Sequence, residues 1–352
     1  MRHSTASVVL DGTPVGDEHP AYVIAECGHN HQGDIEEARR LIHMAKDAGC
    51  NACKLQKRDN RTLYTKPFYE SAYNSENAYA NTYGAHREYL EFSMSQYLEL
   101  KDYAGELGIT FFATPFDLPS VDFLENVGVP FYKVASGSIQ NPLLLRRLSE
   151  TGKPVIVSLG GATEELIAKV VDTLSAVPFV IMHCTAAYPA KAVDLGLGRI
   201  TWLAQKYPQH VIGFSDHEDG VAMGGPAYIL GARVFEKHIT MSHTNKGTDH
   251  AFSLEYGGLR SYINTIRKTE AASVFPSYPL PSEKGPLTKM GYSCYTTRYL
   301  PGGHVITADD LAVKSPAEGL PGWAYDELIG KRLLVAVMAD TPLDWSMFGG
   351  EF

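Results

Sequence analysis

Short runs of β-branched and aromatic residues recur along the chain, with longer amphipathic stretches between them. The runs fall at 22–26, 52–56, 110–114, 131–136, 154–158, 179–184, 211–215 and 233–238, and each reads as a strand. The stretches between them, among others 34–49, 94–108, 141–152, 163–175 and 220–231, read as helices. Several end in glycine, as helix C-termini often do. Eight strands alternating with helices over about 250 residues predict an α/β fold, a (β/α)8 TIM barrel. An open doubly wound sheet is the competitor. However, no GxGxxG follows the first strand and no GxxxxGK[ST] occurs, so a nucleotide-binding version has no motif behind it.

Three departures from the alternation shape the domain plan. Residues 8–15 read as a hairpin around an Asp11-Gly12 turn, placed to plug the bottom of the barrel. Between the second strand and its helix, residues 57–92 form a long polar and aromatic insertion. It lies at the C-terminal end of a strand, where barrel enzymes build their sites. With Tyr64, Tyr69, Tyr73, Tyr79, Tyr83, His86 and Arg87, this segment either shapes specificity or pads a subunit contact. Near Ser273 the texture changes to a proline-rich stretch, extended and semi-rigid in character, followed by short alternating runs punctuated by Pro301-Gly302-Gly303 and Gly319-Leu320-Pro321-Gly322. The expected organisation is a barrel domain with its hairpin over 1–272, a linker over 273–293 and a small β-rich domain over 294–352.

Composition narrows the partners. Hydrophobic residues make up 44% of 352, enough for a sizeable core. Lys+Arg 31 against Asp+Glu 40 gives a net charge of −9, which argues against nucleic acid or an anionic membrane surface as a partner. An anionic ligand must then be held by a local cluster. No apolar run is long enough to span a bilayer, and the first residues lack an apolar core and a cleavage site, so a cytoplasmic protein without a signal peptide is expected. The five cysteines, Cys27, Cys50, Cys53, Cys184 and Cys294, fit reduced thiols better than a disulfide framework. The isolated Cys50-Asn-Ala-Cys53 has no second pair to complete a zinc site.

Nearly every strand ends in a polar or ionisable residue: Glu26, Lys54 and Gln56, Thr114, Lys133 and Ser136, Ser158, His183, Ser215, and Glu236 with His238. These ends are the active-site face of a barrel. A single one is unremarkable at a barrel rim, but eight together point to a site. Lys54 and Lys133 lie inside apolar strands, where an unpaired ammonium costs several kcal/mol. They serve either a structural ion pair with Glu26 or Glu236, or an anionic ligand shared with the hydroxyls of Thr114, Ser136, Ser158 and Ser215. Lysine suits phosphate as a compact point charge. His217 and His238 follow the ends of neighbouring strands. They are either hydrogen-bonded rim residues or a pair sharing one divalent ion with open positions for water and substrate. His183 reads as structural, and Asp249 and His250, just after the last strand, can orient a polyol or a metal-bound water.

The same residues carry a resemblance. Ala25-Glu26-Cys27-Gly28-His29-Asn30-His31-Gln32-Gly33-Asp34, Lys54-Leu55-Gln56, Ala113-Thr114-Pro115-Phe116-Asp117, Lys133-Val134-Ala135-Ser136-Gly137, His183-Cys184-Thr185 with Tyr188-Pro189, Ser215-Asp216-His217, Glu236-Lys237-His238 and Gly247-Thr248-Asp249-His250 together resemble the sialic acid synthase family. That family includes N-acetylneuraminate synthase-like and spore coat polysaccharide synthase-like members. The tail, 302–311 and 328–331, resembles the family's antifreeze-like (SAF) domain. The resemblance implies condensation of phosphoenolpyruvate with an aldose or amino-sugar in surface polysaccharide biosynthesis, giving a nonulosonic acid and phosphate. It also implies a homodimer in which the antifreeze-like domain reaches across to cap the partner's barrel. By the same resemblance, Lys54, Thr114, Lys133, Ser136, Ser158 and Ser215 bind phosphoenolpyruvate. His217 and His238 hold a divalent metal, with manganese first and magnesium or cobalt as alternatives. Glu26 handles a proton or binds a sugar hydroxyl, and Gln56, Tyr188 and Asp249 position substrate.

Departures cluster on the sugar side. Ser138 stands where the family usually has an acid, and Ala186 where many members have Asn. Ser315 replaces an Arg of the capping domain, and Ser158-Leu159-Gly160-Gly161 replaces Ser-Thr-Gly-Met. The expectation is a synthase whose acceptor is not N-acetylmannosamine. The alternatives are a catalytically weak sugar- or phosphate-binding homologue and a metal-dependent aldolase.

Overall fold

The computed structural model describes residues 6–349. The chain first forms an antiparallel hairpin of β1 (Ser7–Leu10) and β2 (Thr13–Gly16), turned at Asp11 and Gly12, both at positive φ. Eight parallel strands follow: β3 (Tyr22–Gly28), β4 (Ala52–Lys57), β5 (Thr110–Pro115), β6 (Tyr132–Val134), β7 (Val155–Ser158), β8 (Phe179–Cys184), β9 (Val211–Asp216) and β10 (Val234–His238). They close in chain order, β10 pairing β3 with His238 beside Glu26, so the expected TIM barrel is present. Helices follow the strands with ordinary stop and start chemistry. Asp34 caps Ile35–Ala48 by accepting from Glu36 N at 2.8 Å, and that helix stops at Gly49 with φ 98°. Ser93 and Gln96 form a capping box for Met94–Leu107.

The hairpin lies at the N-terminal end of the barrel. Val8, Leu10 and Val15 are buried in the barrel's own core cluster. Thr110 Oγ1, on the first residue of β5, donates to Asp11 Oδ2 at 2.8 Å. The expected strand over 131–136 is cut to Tyr132–Val134, because Ser136 opens a 3-10 turn, Ser136–Gln140, that carries its side chain over the barrel mouth.

The insertion folds into three short helices, Asn60–Leu63, Lys66–Tyr69 and Tyr83–Tyr89, packed through Tyr64, Phe68, Tyr73 and Tyr83. It is tied to the loop after β10: Gly247 N donates to Asn77 Oδ1 at 3.0 Å, and Tyr79 Oη donates to Lys246 O. The insertion therefore reaches from β4 to the loop beyond β10.

A second unit begins at Phe275. The stretch read as an extended linker holds a 3-10 turn, Pro281–Glu283, and a short helix, Lys284–Met290. Beyond it β11 (Ser293–Thr296) and β12 (Leu311–Lys314) pair antiparallel over a core that includes Cys294, Leu300, Ile306, Leu328, Leu343 and Phe348. All five cysteines are free and buried. Among the described residues no helix is long and apolar enough to cross a membrane.

Candidate active site

A cavity of 430 Å³ opens at the C-terminal ends of the barrel strands, and all twelve expected site residues line it: Glu26, Lys54, Gln56, Thr114, Lys133, Ser136, Ser158, Tyr188, Ser215, His217, His238 and Asp249. The period-2 alternation of strands accounts for much of this, since residues two apart share a face. Lys54 and Gln56 point inward from β4, and Glu236 and His238 from β10.

The deep end is a network of four charges. Lys54 Nζ lies 2.6 Å from Glu26 Oε2 and 3.7 Å from Glu236 Oε2, and it donates to Thr114 Oγ1 at 2.9 Å. Lys133 Nζ lies 3.2 Å from Glu236 Oε1, which also accepts from Ser215 Oγ at 3.1 Å. The structural ion pair and the ligand site are thus the same residues. Glu236, read from sequence only as a pairing partner, is the hub of the network. The two carboxylates differ in environment. Burial and the neighbouring Glu236 raise Glu26 above the usual carboxylate range. Burial alone would raise Glu236 too, but the Lys133 and Lys54 ammonium groups outweigh it and hold Glu236 low. A split of this kind is what separates a carboxyl suited to proton transfer from one that stays ionised. Burial lowers Lys133, whereas Glu236 and Glu26 overcome the burial of Lys54 and raise it.

The hydroxyls face the cavity. Ser136 Oγ accepts from Gly160 N at 2.9 Å and also meets the Cys184 side chain. Ser158 Oγ is buried without a partner. Gly160 is the residue that permits this approach, because a Cβ there would lie 2.7 Å from Ser136 Oγ and 3.0 Å from the Ala186 Cβ. Gly28, at φ +52°, ends β3 where a side chain would press on Gln56 and Glu26.

On the opposite wall the His217 and His238 rings stand 5.2 Å apart, centroid to centroid. His217 Nδ1 lies 2.9 Å from Thr185 O, so this nitrogen donates and Nε2 keeps its lone pair. His238 Nδ1 is buried without a hydrogen bond, 3.6 Å from Asp249 Oδ2. Burial lowers both imidazoles, His217 to about 3, so both are neutral donors near pH 7. Neutral imidazoles with an orphaned nitrogen and a fixed tautomer suit a divalent ion. Among the described residues no group of three or more His, Cys, Asp or Glu is placed to ligate, so these two would share the ion with water or substrate. The Tyr188 ring lies tilted against His217, centroids 4.3 Å apart. Behind the pair, on the outer face of the barrel, Asp216 and Lys237 form a buried ion pair at 3.2 Å.

Sequence reasoning missed His29 and Arg58, which line the same cavity, and left Tyr79, His86 and Arg87 undecided; all three also line it. Arg58 had a readable signal, since it continues the inward alternation of Lys54 and Gln56. His183 is structural as expected, its Nε2 donating to Leu195 O at 2.6 Å. Of the departures from the family pattern, Ala186 lines the cavity. Ser138 sits in the 3-10 turn bonded to backbone, and Ser315, in the second unit, donates to Lys289 O at 2.9 Å.

Comparison with known proteins identifies the family. The profile of the NeuB family matches residues 41–275, and that of the SAF domain matches residues 293–349. N-acetylneuraminate-9-phosphate synthase of Homo sapiens is 38% identical over 94% of this chain and 93% of its own. N,N'-diacetyllegionaminic acid synthase of Legionella pneumophila is 31% identical over 94% of this chain and 96% of its own. The crystal structure of N-acetylneuraminic acid (sialic acid) synthetase from Leptospira borgpetersenii, in complex with citrate, superposes with a TM-score of 0.69 at 32% identity, covering 82% of this chain and 97% of that one. With its barrel, its charged cavity and its C-terminal module, the chain belongs to the NeuB family, as a sialic acid synthase-like enzyme carrying a SAF domain.

Proposed function

We propose that the chain condenses phosphoenolpyruvate with an aldose or amino-sugar to give a nonulosonic acid and inorganic phosphate. The observation that carries this reading is the placement of Lys54 and Lys133, with four hydroxyl-bearing residues, at the closed end of a cavity whose other wall presents two neutral imidazoles. The lysines and the hydroxyls of Thr114, Ser136, Ser158 and Ser215 bind the phosphate and carboxylate of the enol ester, each charge-assisted bond contributing about 1.5–3 kcal/mol. This fixes the enol carbon toward the imidazoles. His217 and His238 would hold a divalent ion, manganese before magnesium or cobalt, which when bound acts as a Lewis acid on the acceptor's aldehyde oxygen. The enol carbon attacks the aldehyde carbon, forming the new C–C bond. Water adds at C2 of the resulting oxocarbenium, and the tetrahedral carbon then expels phosphate. Glu26, raised in pKa and held by Lys54 and by Gln56 Nε2 at 2.6 Å, gives a proton to the aldehyde oxygen and takes one from the water. Glu236 stays ionised and keeps both lysines charged.

Gln56, Tyr188 and Asp249 orient the acceptor. Ala186 and Ser315 set this chain apart on the sugar side, which supports an acceptor other than N-acetylmannosamine. A homodimer in which the SAF module caps the partner's barrel belongs to the same reading, and equilibrium sedimentation tests it. The deciding assay is stoichiometric phosphate release from phosphoenolpyruvate with a panel of aldoses and a divalent ion. An aldolase releases no phosphate, and a binding-only homologue turns over no sugar. A strong preference for N-acetylmannosamine would refute the acceptor assignment.

A further inference from the structure

His217 and His238 stand together, but their backbones are held differently. His238 is the last residue of β10, paired in register with Glu26, and Ile239 N donates to Glu26 O at 3.0 Å just beyond it. Leu254 N donates to His238 O at 2.8 Å. His217 lies one position past the end of β9, where the ladder to β10 has already stopped at Asp216 opposite Lys237. Its carbonyl accepts only from a loop residue, Ala190 N, at 2.9 Å. A ligand beyond the end of a strand is placed less firmly than one within it, unless a side chain ties it down.

Lys237 supplies the tie. Its Nζ lies 3.2 Å from Asp216 Oδ2 and donates to Glu218 O. Asp216 Oδ1 in turn accepts from Glu218 N at 3.0 Å. The ion pair therefore engages both backbone polar groups of Glu218, and His217 lies between Asp216 and Glu218. Lys237 itself precedes His238. The residue before one imidazole thus reaches across and fixes the residue after the other.

Stability alone gives no reason for this pair. Both side chains are almost completely buried on the outer face of the barrel, with the Tyr262 ring of the helix Tyr256–Ala272 lying 5.6 Å from Lys237 Nζ. The outward positions two residues earlier on the same strands, Phe214 and Phe235, are apolar. A buried ion pair recovers little net energy after desolvation, and apolar side chains of similar volume are often as stable in its place. An apolar pair, however, offers no donor to Glu218 O and no acceptor to Glu218 N.

We propose that Lys237, with Asp216, is a positioning residue for the metal pair. It fixes His217 at the 5.2 Å ring separation from His238 at which one divalent ion can bind both. The inference deepens the proposed function, because it rests on these two imidazoles sharing an ion. Residues that orient metal ligands without touching the ion set its affinity by about ten- to a hundredfold. Neither Asp216 nor Lys237 lines the cavity, so phosphoenolpyruvate should not sense their loss directly.

The test removes both charges at once, in Asp216→Asn with Lys237→Met, so that no buried charge is left alone and the asparagine can still accept from Glu218 N. In calorimetric titration of the metal-stripped protein, the Kd for manganese should rise about tenfold or more, against about twofold or less for phosphoenolpyruvate without metal. In proton NMR the His217 Nδ1–H, which Thr185 O shields in the unaltered protein, should exchange faster in the double variant. An unchanged manganese Kd in the folded double variant overturns the inference. So does a matching loss for both ligands, which would mark the pair as serving the fold alone. If this variant does not fold, Asp216→Leu with Lys237→Met, which fills the same space with apolar groups, is read by the same criteria. Unfolding of both variants overturns the inference as well. If the unaltered protein binds no manganese, or binds it no better than His217→Ala does, the metal reading falls, and exchange of the His217 proton decides the clamp alone. Faster exchange in the double variant supports it, and equal exchange overturns it.

Discussion

Lys133 Nζ sits 3.2 Å from Glu236 Oε1, so one carboxylate anchored on β10 neutralises an ammonium anchored on β6, across the barrel interior. The same carboxylate reaches Lys54 at 3.7 Å. Before substrate binds, Glu236 occupies the electrostatic place that an anionic ester would take. In Glu236→Gln the lysines lose this counter-charge while the side-chain volume stays. Unliganded Glu236→Gln is expected to lose about 3–5 kcal/mol of stability. Phosphoenolpyruvate should then raise its melting temperature more than it raises that of the unaltered protein. A shift no larger than that of the unaltered protein would count against the ester lying on these lysines.

His217 and His238 act as a unit if they share one ion. Chelation should abolish phosphate release, and manganese should restore it. His217→Ala and His238→Ala should each lower turnover by about a hundredfold or more, with the double variant no worse than either. Metal content by mass spectrometry should fall from about one ion per chain to none. Full metal occupancy in either single variant would remove these rings from the site.

Gly160→Ala tests the close approach of the β7 loop to Ser136. The new methyl would meet Ser136 Oγ at 2.7 Å, so either the serine or the loop must move. Overpacking of this kind costs about 1–3 kcal/mol. The functional sign should be a raised KM for phosphoenolpyruvate with the acceptor KM little changed. An unchanged phosphoenolpyruvate KM would show that Ser136 does not touch the ester.

The second unit carries its own acid sensitivity at Asp310, whose carboxylate is fully buried. It accepts from Arg298 Nη2 at 2.6 Å, from Thr307 N at 2.9 Å and from Thr307 Oγ1 at 2.7 Å, with His304 Nε2 at 2.8 Å. Burial opposes its ionisation, but His304, Thr307 and Arg298 outweigh it and lower its pKa. A lowered folded-state pKa means the unfolded state takes up the proton first as pH falls. The stabilisation is therefore fully present above the ordinary value of 3.8 and is lost below it. Hydrogen exchange of amides in 293–349, followed in the full chain, should accelerate below pH 4 more than in the barrel. In Asp310→Asn it should already be fast at pH 7, and the extra acid step should disappear. Persistence of that step in Asp310→Asn would assign it elsewhere.

The barrel and the deep half of its site were legible in the chain because both follow from period-2 alternation. Eight apolar runs named the strands, and the polar residue closing each run named a wall of the cavity. Lys54, Lys133, His217 and His238 stood out as ionisable residues in apolar surroundings. Glu236 was seen but read as a mere partner, because its role comes from being within reach of two lysines on distant strands. His29 and Arg87 meet only because the insertion folds back on the β3 loop, 58 positions away in sequence, and no local pattern announces such a contact. The Asp216–Lys237 pair was hidden for a related reason. Each residue precedes a site histidine and faces the other way, so their partnership depends on two strands lying side by side.

The hairpin that fastens Asp11 to Thr110 packs Val8, Leu10 and Val15 into the core at the floor of the β-cylinder. A chamber with a packed floor has one doorway, and whatever reacts at the far end must come in first and go out last. On the proposed chemistry the enol ester precedes the sugar, and inorganic phosphate, stranded beneath the newly lengthened acid, waits for that acid to depart. Phosphate should accordingly compete with phosphoenolpyruvate alone, and the order of arrival is written into a turn of two residues on the side of the molecule opposite the reaction.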